Sequence, residues 1–330
     1  MSSHNVTPRD IWVARRELEP LIRKTPLVVS PSLSERVGAS VYLKLENLQE
    51  TGSFKIRGAA NRLLHLTDEE KARGVVTFST GNHGRAVAHV ARELGVRAVV
   101  CLSKRVPAYR IEAIRRLGAE LAVVGECQDE AEEYANRLRE QQGMTMINPF
   151  DDPFVIAGQG TIGLELLADL PEIGTVVVPV SGGGLIAGIA LILKAADPSI
   201  RVIGVSMERA PVMFHSLRAG RPIHIEEEET LADALAGGIG LDNQYTFGLV
   251  QRLVDEMTIV SEADIAGAIA FALEEHGMIV EGAGAVGIGA LRFGKAQHLA
   301  KNVAIVVSGG NLDPGTLLRV VRELDGETRE

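Results

Sequence analysis

Short β-branched runs alternate with amphipathic stretches along most of the chain. Val75-Val76-Thr77-Phe78 precedes a helical pattern from about Asn82, Ala98-Val99-Val100-Cys101-Leu102 one from about Ala108, and Leu121-Ala122-Val123-Val124 one from about Asp129. The same order returns after Thr175-Val176-Val177-Val178-Pro179-Val180, Val202-Ile203-Gly204-Val205 and Val303-Ala304-Ile305-Val306-Val307. Runs that are apolar at nearly every position suit strands buried on both faces. The pattern therefore predicts an α/β fold of mostly parallel sheets covered by helices. Upstream, Thr7-Pro8-Arg9-Asp10 offers a hydroxyl cap, a proline for the first helical position and an acid for the first turn. That predicts a helix to about Leu21.

At 330 residues the chain exceeds what one core usually holds, so two lobes are expected. The break Asn148-Pro149-Phe150-Asp151-Asp152-Pro153, and a second near Leu66-Thr67-Asp68, divide it into a small α/β domain over 70–148 and a large domain of 1–69 with 149–330. The acidic run 226–229 reads as a solvated loop.

Net charge narrows the partners. At −9, with a pI near 5.5 and 4% aromatics, the chain lacks the basic face and the stacking platforms of nucleic-acid binders. The longest apolar stretch, 185–193, contains Gly188, stops at Lys194 and is too short to span a bilayer. No basic-then-apolar leader is visible, and Cys101 and Cys127 make neither a disulfide framework nor a zinc site. A cytoplasmic protein without membrane contact is expected.

Four segments carry candidate chemistry. Ser53-Phe54-Lys55-Ile56-Arg57-Gly58-Ala59 resembles a turn feeding a helix, and a lysine at a helix N-terminus has its pKa lowered, as an amine nucleophile requires. The ordinary alternative is a surface lysine. Ser79-Thr80-Gly81-Asn82-His83-Gly84 follows a strand and offers unpaired N–H groups to a carboxylate. The alternative is a capped turn in which His83 merely satisfies a backbone group. Ser181-Gly182-Gly183-Gly184-Leu185 can curl around an oxyanion, and three glycines cost too much chain entropy to serve as punctuation. The spacing Gly182-x-Gly184-x-x-x-Gly188, with Glu208 beyond the next strand, also suits a nicotinamide dehydrogenase. Ser308-Gly309-Gly310-Asn311 places a serine at a strand end, where α/β proteins bind ligands, or is simply a turn. A dehydrogenase would explain the glycine loop alone. A pyridoxal-phosphate (PLP) site would explain all four.

In order along the chain, these segments are joined by Lys24-Thr25-Pro26-Leu27, Leu43-Lys44-Leu45-Glu46-Asn47-Leu48-Gln49, Pro149-Phe150-Asp151, Gly158-Gln159-Gly160-Thr161 and Glu281-Gly282-Ala283-Gly284. So arranged, the chain resembles the two-lobed fold-type II PLP enzymes, whose fold is tryptophan synthase β-like, and within them the threonine/serine dehydratase and serine racemase branch. Cysteine synthases carry threonine where His83 stands, and threonine synthases usually aspartate where Ile56 stands. The resemblance implies a lyase of amino-acid catabolism, an ammonia-lyase acting by α,β-elimination on an L-threonine- or L-serine-like substrate. Serine racemization or threo-3-hydroxyaspartate dehydration are the alternatives, and a homodimer or larger homo-oligomer is implied. It assigns Lys55 to the coenzyme's Schiff base, Asn82 to the ring's 3′-oxygen and Ser308 to the pyridine nitrogen. The phosphate falls to Gly182, Gly183, Gly184 and Leu185, and the substrate carboxylate to the loop Ser79, Thr80, Gly81, Asn82 and His83.

Some positions depart from the branch. Ser181 replaces a glycine, and Asn148 a common histidine. Thr80 stands where racemases use a serine as acid/base, which counts against racemization. Ser206 and Val212 replace the two carboxylates of a cation site, so no metal is expected there. Little chain follows Ser308, and a C-terminal regulatory domain is not expected. The segments 103–110, 205–209 and 237–243 are similar to those of hydroxyectoine-utilisation dehydratases.

Overall fold

The computed structural model describes residues 5–79, 81–104, 106, 108–126 and 128–327. Two sheets organise them. In chain order the strands are β1 (Leu27–Val29), β2 (Ser40–Leu45), β3 (Val75–Phe78), β4 (Ala98–Leu102), β5 (Glu120–Val123), β6 (Thr145–Met146), β7 (Thr175–Pro179), β8 (Arg201–Met207), β9 (Glu256–Val260) and β10 (Asn302–Val307). One sheet has the order β1-β2-β10-β7-β8-β9, the other β5-β4-β3-β6. Every ladder is parallel except β1 against β2, an antiparallel edge that the helix–strand alternation did not predict.

The period of two along a strand explains the continuous apolar runs. In β7, Val176 and Val178 enter one core while Val177 enters the core on the opposite face. In β10, Ala304 and Val306 go to the first core and Val303, Ile305 and Val307 to the second. Helices Lys55–Leu64, Pro153–Asp169 and Gly184–Ala196 contribute to the first core, and helices Glu262–His276 and Gly282–Arg292 to the second. The first core also takes in Val75, Ala86, Val87, Val90 and Ala91, so it runs on beneath the smaller sheet.

Two boundaries differ from expectation. The first helix spans Pro8–Leu18, because Pro20 lacks an N–H and disfavours helical geometry before it. Asp152 caps helix Pro153–Asp169, accepting from the N–H groups of Phe154 at 2.8 Å and Val155 at 3.0 Å. The proline-rich break is therefore a helix start as well as a connection. The run 226–229 is exposed, as a solvated loop should be. Among the described residues no helix is long and apolar enough to cross a membrane. Thr80, Arg105, Pro107 and Cys127 lie outside the described residues, while Cys101 is buried, with its thiol pushed up to about 11 by burial.

Candidate active site

Three of the four candidate segments lie just beyond the C-terminal ends of parallel strands. Ser79 follows β3, residues 181–184 follow β7 and Ser308 follows β10. This is the edge where α/β sheets hold ligands. The fourth segment is stapled to the last. Ser53 and Gly309 form an antiparallel bridge, Phe54 N–H donates to the Ser308 carbonyl at 3.0 Å, and Gly310 N–H to the Gly52 carbonyl at 2.9 Å. Lys55 thus begins its helix beside the exit of β10.

One cleft of about 1250 Å³ between the sheets is lined by Lys55, Ser79, Gly81, Asn82, His83, residues 181–185, Glu281 and Ser308. All the described members of the expected site therefore meet in one place. The Lys55 amine donates to the Pro149 carbonyl at 2.8 Å, and its pKa is lowered to about 8, chiefly because the amine is taken out of water, with Glu281 opposing. Its position as first residue of helix Lys55–Leu64 is as expected, but burial rather than the helix dipole is the leading cause.

The glycine loop opens helix Gly184–Ala196, with Gly183 at φ +86° as the cap. A side chain at Gly182 would place its Cβ 2.3 Å from the Phe150 ring, so only bare backbone fits there. The free N–H groups of this helix start face the cleft with no acid in the first turn, a combination that can hold an oxyanion. Glu208, the acid a dehydrogenase would need on a ribose, instead accepts from Glu262 N–H at 3.1 Å and caps another helix. Ser308 is buried and its hydroxyl has no hydrogen-bond partner among the described residues.

On the opposite wall, Asn82 opens helix Asn82–Glu93. His83 is buried, and its Nε2 lies 2.9 Å from the Ile147 carbonyl, which accepts only, so Nε2 carries the proton. Burial, with the nearby Lys55 cation, pushes His83 down to about 3 and keeps the ring neutral. Its Nε2 is thus committed to a backbone group, as the ordinary reading had it; Nδ1 is buried without a partner among the described residues and in this tautomer only accepts, so the backbone N–H is what His83 can offer a carboxylate.

Sequence reasoning missed a buried ionic cluster directly behind Lys55. Arg57, 1% exposed, donates to Glu46 through Nε and Nη2 at 2.8 Å each, to Glu165 at 2.7 and 3.0 Å, and to Thr161 at 3.0 Å. Lys44 completes it with bonds to Glu165 at 2.6 Å and the Thr25 carbonyl at 2.7 Å. Two buried cations face two buried carboxylates, so the buried part of the cluster is neutral, with the partly exposed Arg15 reaching Glu165 from outside at 3.3 Å. Burial lowers Lys44; burial alone would raise Glu165, but Arg57 and Lys44 together hold it below the usual range. A signal was available: Lys44 and Glu46 are charges at the end of an otherwise apolar strand.

A cradle of glycine N–H groups, an amine of lowered pKa and an unpartnered hydroxyl fit a ligand with a phosphate, an aldehyde and a ring nitrogen. Residues 18–309 match the family of pyridoxal-phosphate dependent enzymes. The chain belongs to this family. It is a fold-type II member that uses pyridoxal 5′-phosphate. It is similar to an L-threonine ammonia-lyase of Thermotoga maritima, 46% identical over 318 residues that cover 96% of this chain and 79% of that one. Among solved structures it is similar to maize serine racemase, with a TM-score of 0.91, 35% identity and coverage of 99% and 100% of the two chains. It is also similar to threonine deaminase isoform 2 of Solanum lycopersicum, with a TM-score of 0.88, 35% identity and coverage of 97% and 95%.

Proposed function

We propose that this enzyme is an ammonia-lyase that removes the β-hydroxyl of a small hydroxy-amino acid of the threonine or serine type and releases a 2-oxo acid and ammonia. The observation that carries the reading is the placement of the Lys55 amine, already low in pKa at about 8, in one cleft with the glycine cradle and Ser308.

Bound pyridoxal phosphate supplies an electron sink that makes the substrate's Cα–H acidic. The protein's part is attachment, orientation and proton handling. Lys55 would hold the coenzyme's aldehyde carbon through Nζ, and the same amine, when free, would be the base that takes the substrate's Cα proton. General-base work of this kind contributes roughly 10²–10⁴-fold. Gly182, Gly183, Gly184 and Leu185 hold the phosphate through backbone N–H groups, and Asn82 orients the ring through its 3′-oxygen. The Ser308 hydroxyl would be a neutral partner for the ring nitrogen and would draw off less electron density than a carboxylic acid there. Ser79, Thr80, Gly81, Asn82 and His83 take the substrate carboxylate, His83 through its backbone alone. The Cα proton taken up at Nζ and the β-hydroxyl together make up the one water lost, and the free enamine then tautomerises and takes up one water from solvent to give the 2-oxo acid and ammonia.

The reading extends to a homodimer or larger, a cytoplasmic location, and a division into a small lobe of 70–148 and a large lobe of 1–69 with 149–330. It also places the chain in the hydroxyectoine-utilisation branch. That placement rests on the likeness of segments 103–110, 205–209 and 237–243, the last of which lines the cleft. Borohydride reduction followed by peptide mapping should put the label on Lys55. A 2-oxo-acid assay on serine, threonine, 3-hydroxyaspartate and hydroxyectoine-derived intermediates should then find turnover. Label on another lysine, or no keto acid from any of these substrates, overturns the proposal.

A further inference from the structure

Glu281 stands inside the cleft with no part in the reaction just described. It is the residue before helix Gly282–Arg292, 5% exposed, and its own N–H donates to the Gly309 carbonyl at 3.1 Å. Its Oε1 accepts from Asn82 Nδ2 at 2.6 Å. That oxygen packs so tightly on the Ser308 loop that a Cβ at Gly309 would lie 2.1 Å from it. Asn311 closes the arrangement: its backbone N–H bonds the Glu281 carboxyl, and its Nδ2 donates to Asn82 Oδ1 at 2.6 Å and to the Thr51 carbonyl at 2.9 Å.

The Asn82 amide is therefore held at both ends. A carboxylate only accepts, so Glu281 forces the amide nitrogen toward itself, and Asn311 fixes the oxygen on the other side. One Asn82 N–H remains for a ligand. We infer that Glu281 is a positioning residue that sets, through Asn82 and by its own protonation state, the hydrogen bond this enzyme offers to its coenzyme ring. The inference rests on the proposed role of Asn82.

The charged groups around Glu281 come from several elements. Asp233 lies on the 3-10 turn Asp233–Leu235 and is paired with Arg110 of helix Ala108–Arg115, while the Lys55 amine faces the carboxyl from its own helix. Burial first, and Asp233 second, raise Glu281 to about 7, against the Asn82 and Arg110 contributions that lower it. A group so placed exchanges its proton in the neutral range. Deprotonated, it is a strong acceptor for Asn82. Protonated, it loses that charge and its grip on the amide weakens.

The test is the visible band of the coenzyme-loaded protein, titrated from about pH 6 to 8.5 in the wild type, Glu281→Gln, Glu281→Ala, Asn82→Ala and the Asn82→Ala/Glu281→Gln double variant, with the Kd for pyridoxal phosphate measured alongside. The wild-type band should shift with a midpoint above the ordinary carboxylate range. Glutamine keeps an acceptor for Asn82 but cannot titrate, so Glu281→Gln should bind coenzyme within about threefold of wild type and lose the pH step. Glu281→Ala should raise Kd about tenfold, the equivalent of one charge-assisted hydrogen bond of about 1.4 kcal/mol. In the Asn82→Ala background the glutamine substitution should be silent. A wild-type pH step persisting in Glu281→Gln, or the same spectral change with and without Asn82, overturns the inference and leaves the proposed function standing. A wild type whose coenzyme is not on Lys55 overturns both.

Discussion

Replacing Arg57 by methionine removes the guanidinium from the buried cluster while roughly filling its volume. Five hydrogen bonds go with it: two to Glu46, two to Glu165 and one to Thr161. The carboxylates keep Lys44, Thr25 Oγ1 on Glu46 at 2.5 Å and Gln49 on Glu46 at 3.2 Å. Arg15 reaches Glu165 at 3.3 Å, but its side chain is 41% exposed and replaces little. The cluster changes from neutral to one buried negative charge. Removing one partner of a buried pair costs about 3–5 kcal/mol, a large share of a typical folding free energy. Urea unfolding of the apoprotein near pH 8 should show that loss. Acid should shrink it. In the wild type Glu165 is held low, so its contribution is present above the unfolded carboxylate range and disappears as pH falls through the depressed folded value. In the variant, burial is no longer outweighed by Arg57, and Glu165 is relieved by taking up a proton. Proton uptake in the variant narrows the gap as pH falls toward 5, and the wild-type loss adds to it only below the unfolded carboxylate range. A deficit under about 1 kcal/mol, or one that stays constant with pH, would show that Arg57 does not stabilise the cluster as assigned.

Other perturbations are equally direct. Lys55→Ala should abolish turnover and the visible coenzyme band together; full turnover in the purified variant would remove the lysine from the chemistry. Loading of apoprotein by pyridoxal phosphate needs the neutral amine, so its rate should climb with pH through about 8 and level off above, and a flat stopped-flow profile contradicts this. Gly183→Ala forces a side chain to φ +86°, which costs about 1–2 kcal/mol, and should lower the unfolding midpoint and loosen coenzyme binding in equilibrium dialysis. Because Ser206 and Val212 offer no carboxylates, EDTA or added magnesium should leave activity unchanged; a several-fold response would reveal a metal site.

The parallel sheets were legible because each buried run, such as Val176-Val177-Val178, is apolar on both faces and is followed by a helix-period pattern. The segments that meet in the cleft were legible where a backbone geometry stands out, as in the glycine loop, or an element boundary does, as at Lys55, Asn82 and Ser308. What stayed hidden depends on contacts between distant positions. Nothing local says that Arg57 meets Glu165, 108 residues away, or that Glu281 meets Asn82, 199 residues away. The edge strand β1 is only three residues long, too short for alternation to register. Pro20, two residues past the last helical position, was a local signal for the first helix's end that the expected end near Leu21 overran.

The apolar cluster shared by Ile56, Ala59 and Leu63 with Ala86, Val87, Val90 and Ala91 ties the lysine's helix to the helix that begins at Asn82. A fragment of residues 70–148 produced by itself would turn Val87, Val90 and Ala91 toward water, and should aggregate or stay partly unfolded. The smaller sheet is in this sense not a portable module. Grafting it onto another scaffold would require carrying the lysine helix along as its other half.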